Sequence, residues 1–269
     1  MSIQLIAIDI DGTLLSPDKT ISPRVHQAIQ DAKAKGVYVV LCTGRPLPGV
    51  TAYLEELNLV NDRDFVITYN GSLVQKTADG HTLAHFTLAY EDLEKVASYG
   101  DKLNIHYHAI DQEAIYVPTE DVGIYSLHEQ ELVGMPIRHL PLDQIPRDIE
   151  FTKMMFIDDA ALLDQLLLEV PKEFASDYTL LRSQPFYLEV LNPLASKGKA
   201  VAALAEQLEL TPDQVMCIGD NENDMDMIEY AGMGVAMGNA VDSVKAIADY
   251  ITESDANDGV AVAIERFVL

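Results

Sequence analysis

The stretch AIDIDGTLL, running from Ala7 to Leu15, decides how the rest of the chain is read. The run before it, IQLIAI, is apolar except at Gln4. Two carboxylates, Asp9 and Asp11, then arrive with Gly12 and Thr13 behind them. An apolar run that stops abruptly at acids is the pattern of a strand buried on both faces. Two residues apart on an extended chain, the two carboxylates are expected to project to the same side.

The same grammar continues outward from this strand. ISPRVHQAIQDAKAKG predicts a helix that Ser22 caps, with Pro23 in its first position and Gly36 at its end. VYVVLCTG follows as a second buried strand, VTAYLEELN as a helix and FVITYNG as a third strand. This β-α-β-α-β order implies a parallel, doubly wound α/β sheet. The end of the chain resumes it: helix KGKAVAALAEQLEL, a helical turn at TPDQ, strand VMCIGD, helix NDMDMIEYAG, strand MGVAMG, helix VDSVKAIADY, strand YIT and helix DGVAVAIERFV. The middle differs. A helix, YEDLEKVASYGDKLN, precedes paired strands NIHYHAI and AIYVP. Then come strand FTKMMFID, one helix over AALLDQLLLEVPKEF, and strands YTLLRS and FYLEVL around a Gln-Pro turn. Such a mixture predicts an α+β unit with an antiparallel sheet. Residues 85–190 are therefore expected to form a domain inserted into another made of residues 1–84 and 191–269.

Of the 269 residues, 43 are Asp or Glu and 18 are Lys or Arg, a net charge of -25. So acidic a surface repels nucleic acid and anionic membrane, and neither is an expected partner. It does not repel Mg²⁺, whereas a phosphorylated small molecule needs local positive charge at its site. Cys42 and Cys217 sit in apolar runs without metal or disulfide spacing, which predicts buried, reduced thiols and a cytoplasmic location. The N-terminus reads as a first strand and not a signal peptide, and no apolar run is long enough to span a bilayer. There is no internal repeat. Monomer and homo-oligomer stay equally open.

Strand C-termini in a parallel sheet open onto one crevice, the usual ligand site. Five clusters follow strands at that edge or begin a helix there: Asp9 with Asp11, Thr43-Gly44-Arg45, Asn70-Gly71, Lys197, and Asp220 with Asn223 and Asp224. Like charges gathered at a buried edge are costly unless a cation neutralises them. Oxygen ligands of this kind suit Mg²⁺, which takes one or two carboxylates together with a phosphate oxygen.

DIDGTLL, LCTGR, Lys197 and GDNENDMDM, in that order, resemble the four motifs of the haloacid dehalogenase (HAD) superfamily of phosphatases. ITYNGSLV, LEVLNPLASKG, MGVAMGNA and DGVAVAIE extend the resemblance over nearly the whole chain, toward the Cof-type, YidA-like sugar phosphatases. The resemblance implies a Rossmannoid core with an inserted type-IIB α+β cap, a lid that closes over the crevice and carries substrate choice. It implies Mg²⁺-dependent hydrolysis of small phosphorylated metabolites, sugar phosphates foremost, through an aspartyl-phosphate. Asp9 would be the nucleophile. Asp11 would protonate the leaving alkoxide and then deprotonate water, its backbone carbonyl helping to hold the metal. Asp9 and Asp220 would supply metal oxygens, and Asp224 would orient them. The Thr43 hydroxyl, the Gly44 and Ile10 amides and the Asn223 side chain would donate to the phosphoryl oxygens. Lys197 would balance the charge of Asp9 and phosphate, while Arg45 would touch substrate or support its loop.

Two other functions compete. A phosphomutase of the phosphomannomutase kind shares this plan but needs a cap rich in positive charge, whereas Lys153, Arg138 and Arg182 are scattered. A non-enzymatic phospho-acceptor gathers similar residues, yet is a compact single domain whose acceptor lies on a central later strand. A degenerate binding protein is disfavoured because every catalytic position is filled. In the inserted region, His106 and His108 alternate on one strand face. Lacking a third ligand, they are expected to be surface or packed residues. Met154 and Met155 are expected to fill the core, and the acids of EQELVG (Glu129 and Glu131) to lie on a solvated face.

Overall fold

Parallel pairing around the first strand organises the chain, which the computed structural model describes over residues 2–269. Leu5, Ile6, Ala7 and Ile8 are wholly buried, flanked in register by Val215–Ile218 on one side and Tyr38–Leu41 on the other. The sheet has eight strands, in the order Tyr250–Ile251, Met233–Ala236, Val215–Gly219, Leu5–Ile8, Tyr38–Cys42, Phe65–Thr68, Leu73–Lys76 and Thr82–His85. The first six pair in parallel, as the alternation of strands and helices predicts. The Leu73–Lys76 strand runs antiparallel to Phe65–Thr68. That edge departs from the all-parallel reading because the chain reverses through Tyr69, Asn70 and Gly71, all with positive φ. Asn-Gly is the sequence signal for such a reversal.

The helix Pro23–Ala34 forms as its sequence dictates. Ser22 Oγ accepts the Val25 amide at 3.2 Å and Pro23 opens the first turn. Val25, Ala28, Ile29 and Ala32 make one buried stripe, each larger side chain stabilising by roughly 1.5–3 kcal/mol. The helix lies against the helix Gly259–Phe267 and the Tyr38–Cys42 strand. Cys42 and Cys217 are free thiols, both buried. Among the described residues, no helix is long and apolar enough to cross a membrane.

Contacts divide the chain into two units. One comprises residues up to Gly44, Val50–Ala84 and Ser196–Leu269; the other Arg45–Gly49 and His85–Ala195. The second unit has a six-stranded sheet in the order Thr179–Gln184, Tyr187–Leu191, Lys153–Ile157, Tyr107–Ile110, Ile115–Val117 and Ile137–His139. It is not wholly antiparallel, since the last two strands pair in parallel. The helix Ile124–Val133 between them provides the crossover that parallel pairing needs. One sheet face, with Ala109, Met154, Phe156, Leu188 and Val190, forms the core with residues of the helices Tyr90–Leu103 and Ala160–Glu169. The single helix expected over AALLDQLLLEVPKEF is two, Ala160–Glu169 and Lys172–Asp177. Pro171 forces the preceding Val170 into extended backbone.

The opposite sheet face mixes buried apolar side chains with buried polar and ionisable ones. His108 is fully buried, within 3.0 Å of Ser126 Oγ and 3.3 Å of Met155 Sδ. Met155 is thus buried beside a histidine, while Met154 fills the apolar core as expected. Glu129 departs from the solvated-face reading. It is buried and pairs at 3.3 Å with Lys153, which also reaches Glu189 at 3.6 Å. Glu131 is exposed. His106 is packed between Asp158 and Asp121, at 2.7 and 2.6 Å.

Candidate active site

The first strand ends at Ile8, and the Asp9 amide extends its ladder by one bond to the Ile218 carbonyl, 3.0 Å. The chain then turns sharply. The Asp9 and Ile10 carbonyls accept the Leu14 and Leu15 amides at 3.1 and 3.0 Å. Gly12 sits at φ +85°, and a Cβ there would lie 2.5 Å from Asp220 Oδ2, so only glycine fits. Thr13 Oγ1 donates to Asp220 Oδ1 at 2.8 Å. The DxDGT turn is thereby fastened to the end of the neighbouring Val215–Gly219 strand.

Asp224 is fully buried on the turn that follows. Its Oδ2 accepts the amides of Asp220 and Asn221 at 2.9 and 3.1 Å, and its Oδ1 accepts Lys197 Nζ at 2.6 Å. Lys197 opens the helix Lys197–Gln207, whose cap is Ser196; its ammonium also donates to Asp9 Oδ1 at 2.6 Å. Burial opposes the lysine's charge, but Asp224 and Asp9 outweigh it and hold its pKa above the ordinary value. Burial raises Asp9 well above the usual carboxylate range, against the pull of Lys197; Asp224 and Asp220 add to the rise. Asp220 is pushed up to about 6, chiefly by burial.

Asp9, Asp220 and Asp224 each bring a carboxylate oxygen within 4.8 Å of the others. Three carboxylates face one lysine, leaving an excess of negative charge that a cation relieves. The donors are all hard oxygens, the set that holds a divalent ion of the Mg²⁺ or Ca²⁺ kind. Asp224 spends its oxygens on Lys197 and two amides, whereas the bonds to Asp9 and Asp220 engage Oδ1 of each. Asp9 and Asp220 could therefore hold such an ion, with Asp224 bracing Lys197 and the turn after the strand.

Other expected residues fall differently. The Asp11 carboxylate does not join this group. It is 44% exposed and lies 3.2 Å from Lys19 Nζ. The expectation of a shared face fails because the extended backbone stops at Asp9 and is turning by Ile10. Ile10 and Thr43 are buried, Thr43 directly after the Tyr38–Cys42 strand. Arg45 groups with the second unit and braces its own loop, donating to the Gly49 carbonyl at 3.3 Å. Asn223 Nδ2 donates to Asn70 Oδ1 at 3.0 Å, and the Asn70 amide donates to the Thr43 carbonyl at 2.9 Å. Asn70 thus joins the Thr43 and Asn223 segments, a role its position in the sequence alone did not assign.

Comparison with known proteins identifies the family. The haloacid dehalogenase-like hydrolase family matches residues 6–264. YxeH of Bacillus subtilis (strain 168), a phosphatase by name, is 43% identical over 266 residues, covering 99% of this chain and 98% of that protein. YcsE of the same organism, named a 5-amino-6-(5-phospho-D-ribitylamino)uracil phosphatase, is 34% identical over 273 residues, 100% of this chain and 97% of that protein. Among solved structures, a haloacid dehalogenase-like hydrolase from Bacteroides thetaiotaomicron superposes with a TM-score of 0.87 at 31% identity, covering 98% of this chain and 99% of that one. The chain belongs to the haloacid dehalogenase-like hydrolase family, as a phosphatase with a Rossmannoid core and an inserted α+β cap.

Proposed function

We propose that the protein is a Mg²⁺-dependent cytoplasmic phosphatase of small phosphorylated metabolites, sugar phosphates foremost, working through an aspartyl-phosphate on Asp9. One observation carries the reading: the Lys197 ammonium lies between Asp9 and Asp224, 2.6 Å from each, with Asp220 in the same group. Lys197 fixes the Asp9 carboxylate for attack and counters the charge of an arriving phosphate. Asp9 and Asp220, with the Asp11 carbonyl, would hold Mg²⁺, which supplies charge neutralisation and orientation of the phosphoryl group.

In the first step an Asp9 oxygen bonds to phosphorus and the bond to the leaving oxygen breaks, with Asp11 giving that oxygen a proton. Exposure of the Asp11 carboxylate suits a group that exchanges protons with water. In the second step Asp11 takes a proton from water, whose oxygen attacks phosphorus, releasing phosphate and restoring Asp9. The Thr43 hydroxyl, the Ile10 and Gly44 amides and the Asn223 amide donate to the phosphoryl oxygens throughout. The second unit sets substrate choice. The phosphorylated ribityl chain in the name of YcsE's substrate supports a polyol or sugar phosphate. Hydrolysis is favoured over a mutase because three cations of the second unit, scattered over it, already face carboxylates: Lys153 faces Glu129 and Glu189, Arg138 faces Glu113, and Arg182 faces Asp164.

The test is phosphate release from a panel of sugar phosphates and p-nitrophenyl phosphate, with Mg²⁺ and then EDTA, for the wild type and Asp9→Asn. Turnover that needs Mg²⁺ and disappears in Asp9→Asn is expected. Interconversion of hexose phosphates without release would make the protein a mutase. A stable phosphoprotein without turnover would make it an acceptor.

A further inference from the structure

The Asn70-Gly71 pair has no part in the reaction outlined above, yet it touches three segments that serve it. We infer that Asn70 is a positioning residue of the phosphate site, whose side-chain oxygen holds the Asn223 amide so that an N–H, not the carbonyl, faces the phosphoryl group. The inference rests on the assignment of Asn223 as a phosphate donor.

Backbone strain is the first sign. Tyr69, Asn70 and Gly71 have φ of 52°, 53° and 93°, and Tyr69 and Asn70 are buried. A bulky aromatic in the left-handed region is a true outlier, and such strain persists where the surroundings over-determine it, commonly at functional sites. The hydroxyls of Thr68 and Ser72, on either side, are fully buried and have no hydrogen-bond partner among the described residues. The turn is maintained at a cost on both flanks.

The contacts show what the turn maintains. The Asn70 amide holds the Thr43 carbonyl, and a Cβ on Gly44 would lie 2.9 Å from Asn70 Nδ2. A Cβ on Gly71 would lie 2.1 Å from the carbonyl oxygen of Ser196, the cap of the helix that presents Lys197. Asn223 Nδ2 reaches Asn70 Oδ1 at 3.0 Å. A side-chain amide has two N–H donors on one side and an acceptor oxygen on the other. Loose, it can present either. A phosphate ester dianion offers only acceptors toward it, so a flipped Asn223 would repel the substrate. With one N–H engaged by Asn70 Oδ1, a flip would set two acceptor oxygens against each other. The second N–H is therefore held available. Asparagine suits the place because it tolerates the left-handed backbone and still carries an acceptor.

The test compares the cost of Asn223→Ala in three backgrounds: wild type, Asn70→Gly and Asn70→Asp. Readouts are kcat/KM for p-nitrophenyl phosphate with Mg²⁺ and the inhibition constant of inorganic phosphate. Glycine keeps the left-handed backbone without the acceptor; aspartate keeps both. Asn70→Gly is expected to lower kcat/KM about tenfold to a hundredfold and to weaken phosphate inhibition in step. Asn223→Ala then costs little more in that background, but costs its full amount beside Asn70→Asp. Equal cost in all three would overturn the inference, leaving Asn70 a merely structural residue. A second readout needs no variant at position 70. By NMR, one Asn223 side-chain amide proton of the wild type is protected from exchange, and fast exchange of both would also overturn it. If Asn223→Ala costs nothing in an enzyme that turns over, the phosphate-donor assignment fails and this inference with it. If the wild type releases no phosphate, the phosphatase reading itself has failed.

Discussion

Lys197 is the residue on which the buried charges balance. Its side chain is wholly buried and lies 2.6 Å from Asp9 and from Asp224. Removing one partner of a buried ion pair costs about 3–5 kcal/mol, because the remaining charge is left without compensation. Carboxylates can escape that penalty by taking up a proton, and Asp9 is already raised by burial. Lys197→Met, unfolded by urea in EDTA, is therefore expected to lose several kcal/mol at pH 8 and distinctly less at pH 5. Equal losses at both pH values would mean that packing, not charge, sets the effect. Hydrolysis should fall about 10²–10³-fold, the usual cost of removing one preorganised donor. That Asp9, Asp220 and Asp224 gather was legible in the sequence because each ends a strand or sits in the turn after one, whereas Lys197 was singled out only by the resemblance to the family's motif. The outward carboxylate of Asp11 was not legible, because it depends on one turn at Ile10. Nor was the hold of Asn70 on Asn223, a contact across 153 positions.

At the scale of elements, the sheet of the second unit keeps one face apolar and lines the other with buried ionisable groups. His108 is packed there with Ser126 and Met155, near Lys153, which binds Glu129 and Glu189. Burial, with Lys153 adding to it, pushes the His108 pKa down to about 3. In the unfolded chain a histidine titrates near 6.5. Above that value both states are neutral at this site, and the stability of the strand is undiminished. Below it the unfolded chain gains a proton that the folded chain refuses, so stability is lost as pH falls from about 6.5 toward 3, by about 1.4 kcal/mol per unit. His108→Gln removes that slope. The variant is expected to be less stable than wild type at pH 7.5 and to recover about 2 kcal/mol of the difference by pH 5. A difference that stays constant between those pH values would show that His108 does not titrate in this window. Alternation of side chains made the strand itself readable, but not that both of its faces are buried. The solvated-face reading of Glu129 failed for this reason: a helix of mixed polarity gives no sign that a lysine waits beneath it. The break at Pro171 was missed by reading one helix through it, although the residue before a proline resists helical geometry.

For the whole molecule the governing quantity is charge. With 43 acidic against 18 basic residues, the chain carries -25 at pH 7 while the proposed substrate is itself an anion. Two electrostatic effects then oppose each other. The local field at Lys197, with the proposed metal held by Asp9 and Asp220, would attract phosphate over a few ångströms. The summed surface charge repels it over a longer range. Salt separates them, because the Debye length is about 30 Å at 0.01 M and about 10 Å at 0.1 M. Repulsion between exposed charges and an approaching ligand is screened across that range, while contacts inside a buried site are screened much less. At fixed free Mg²⁺, KM for a phosphomonoester is accordingly expected to fall as NaCl is raised from about 10 to about 200 mM, with kcat unchanged. Steady-state kinetics across that series decides the point. A KM that rises with salt would mean that the local cationic field reaches beyond the site and steers substrate in, against the sign of the molecule as a whole.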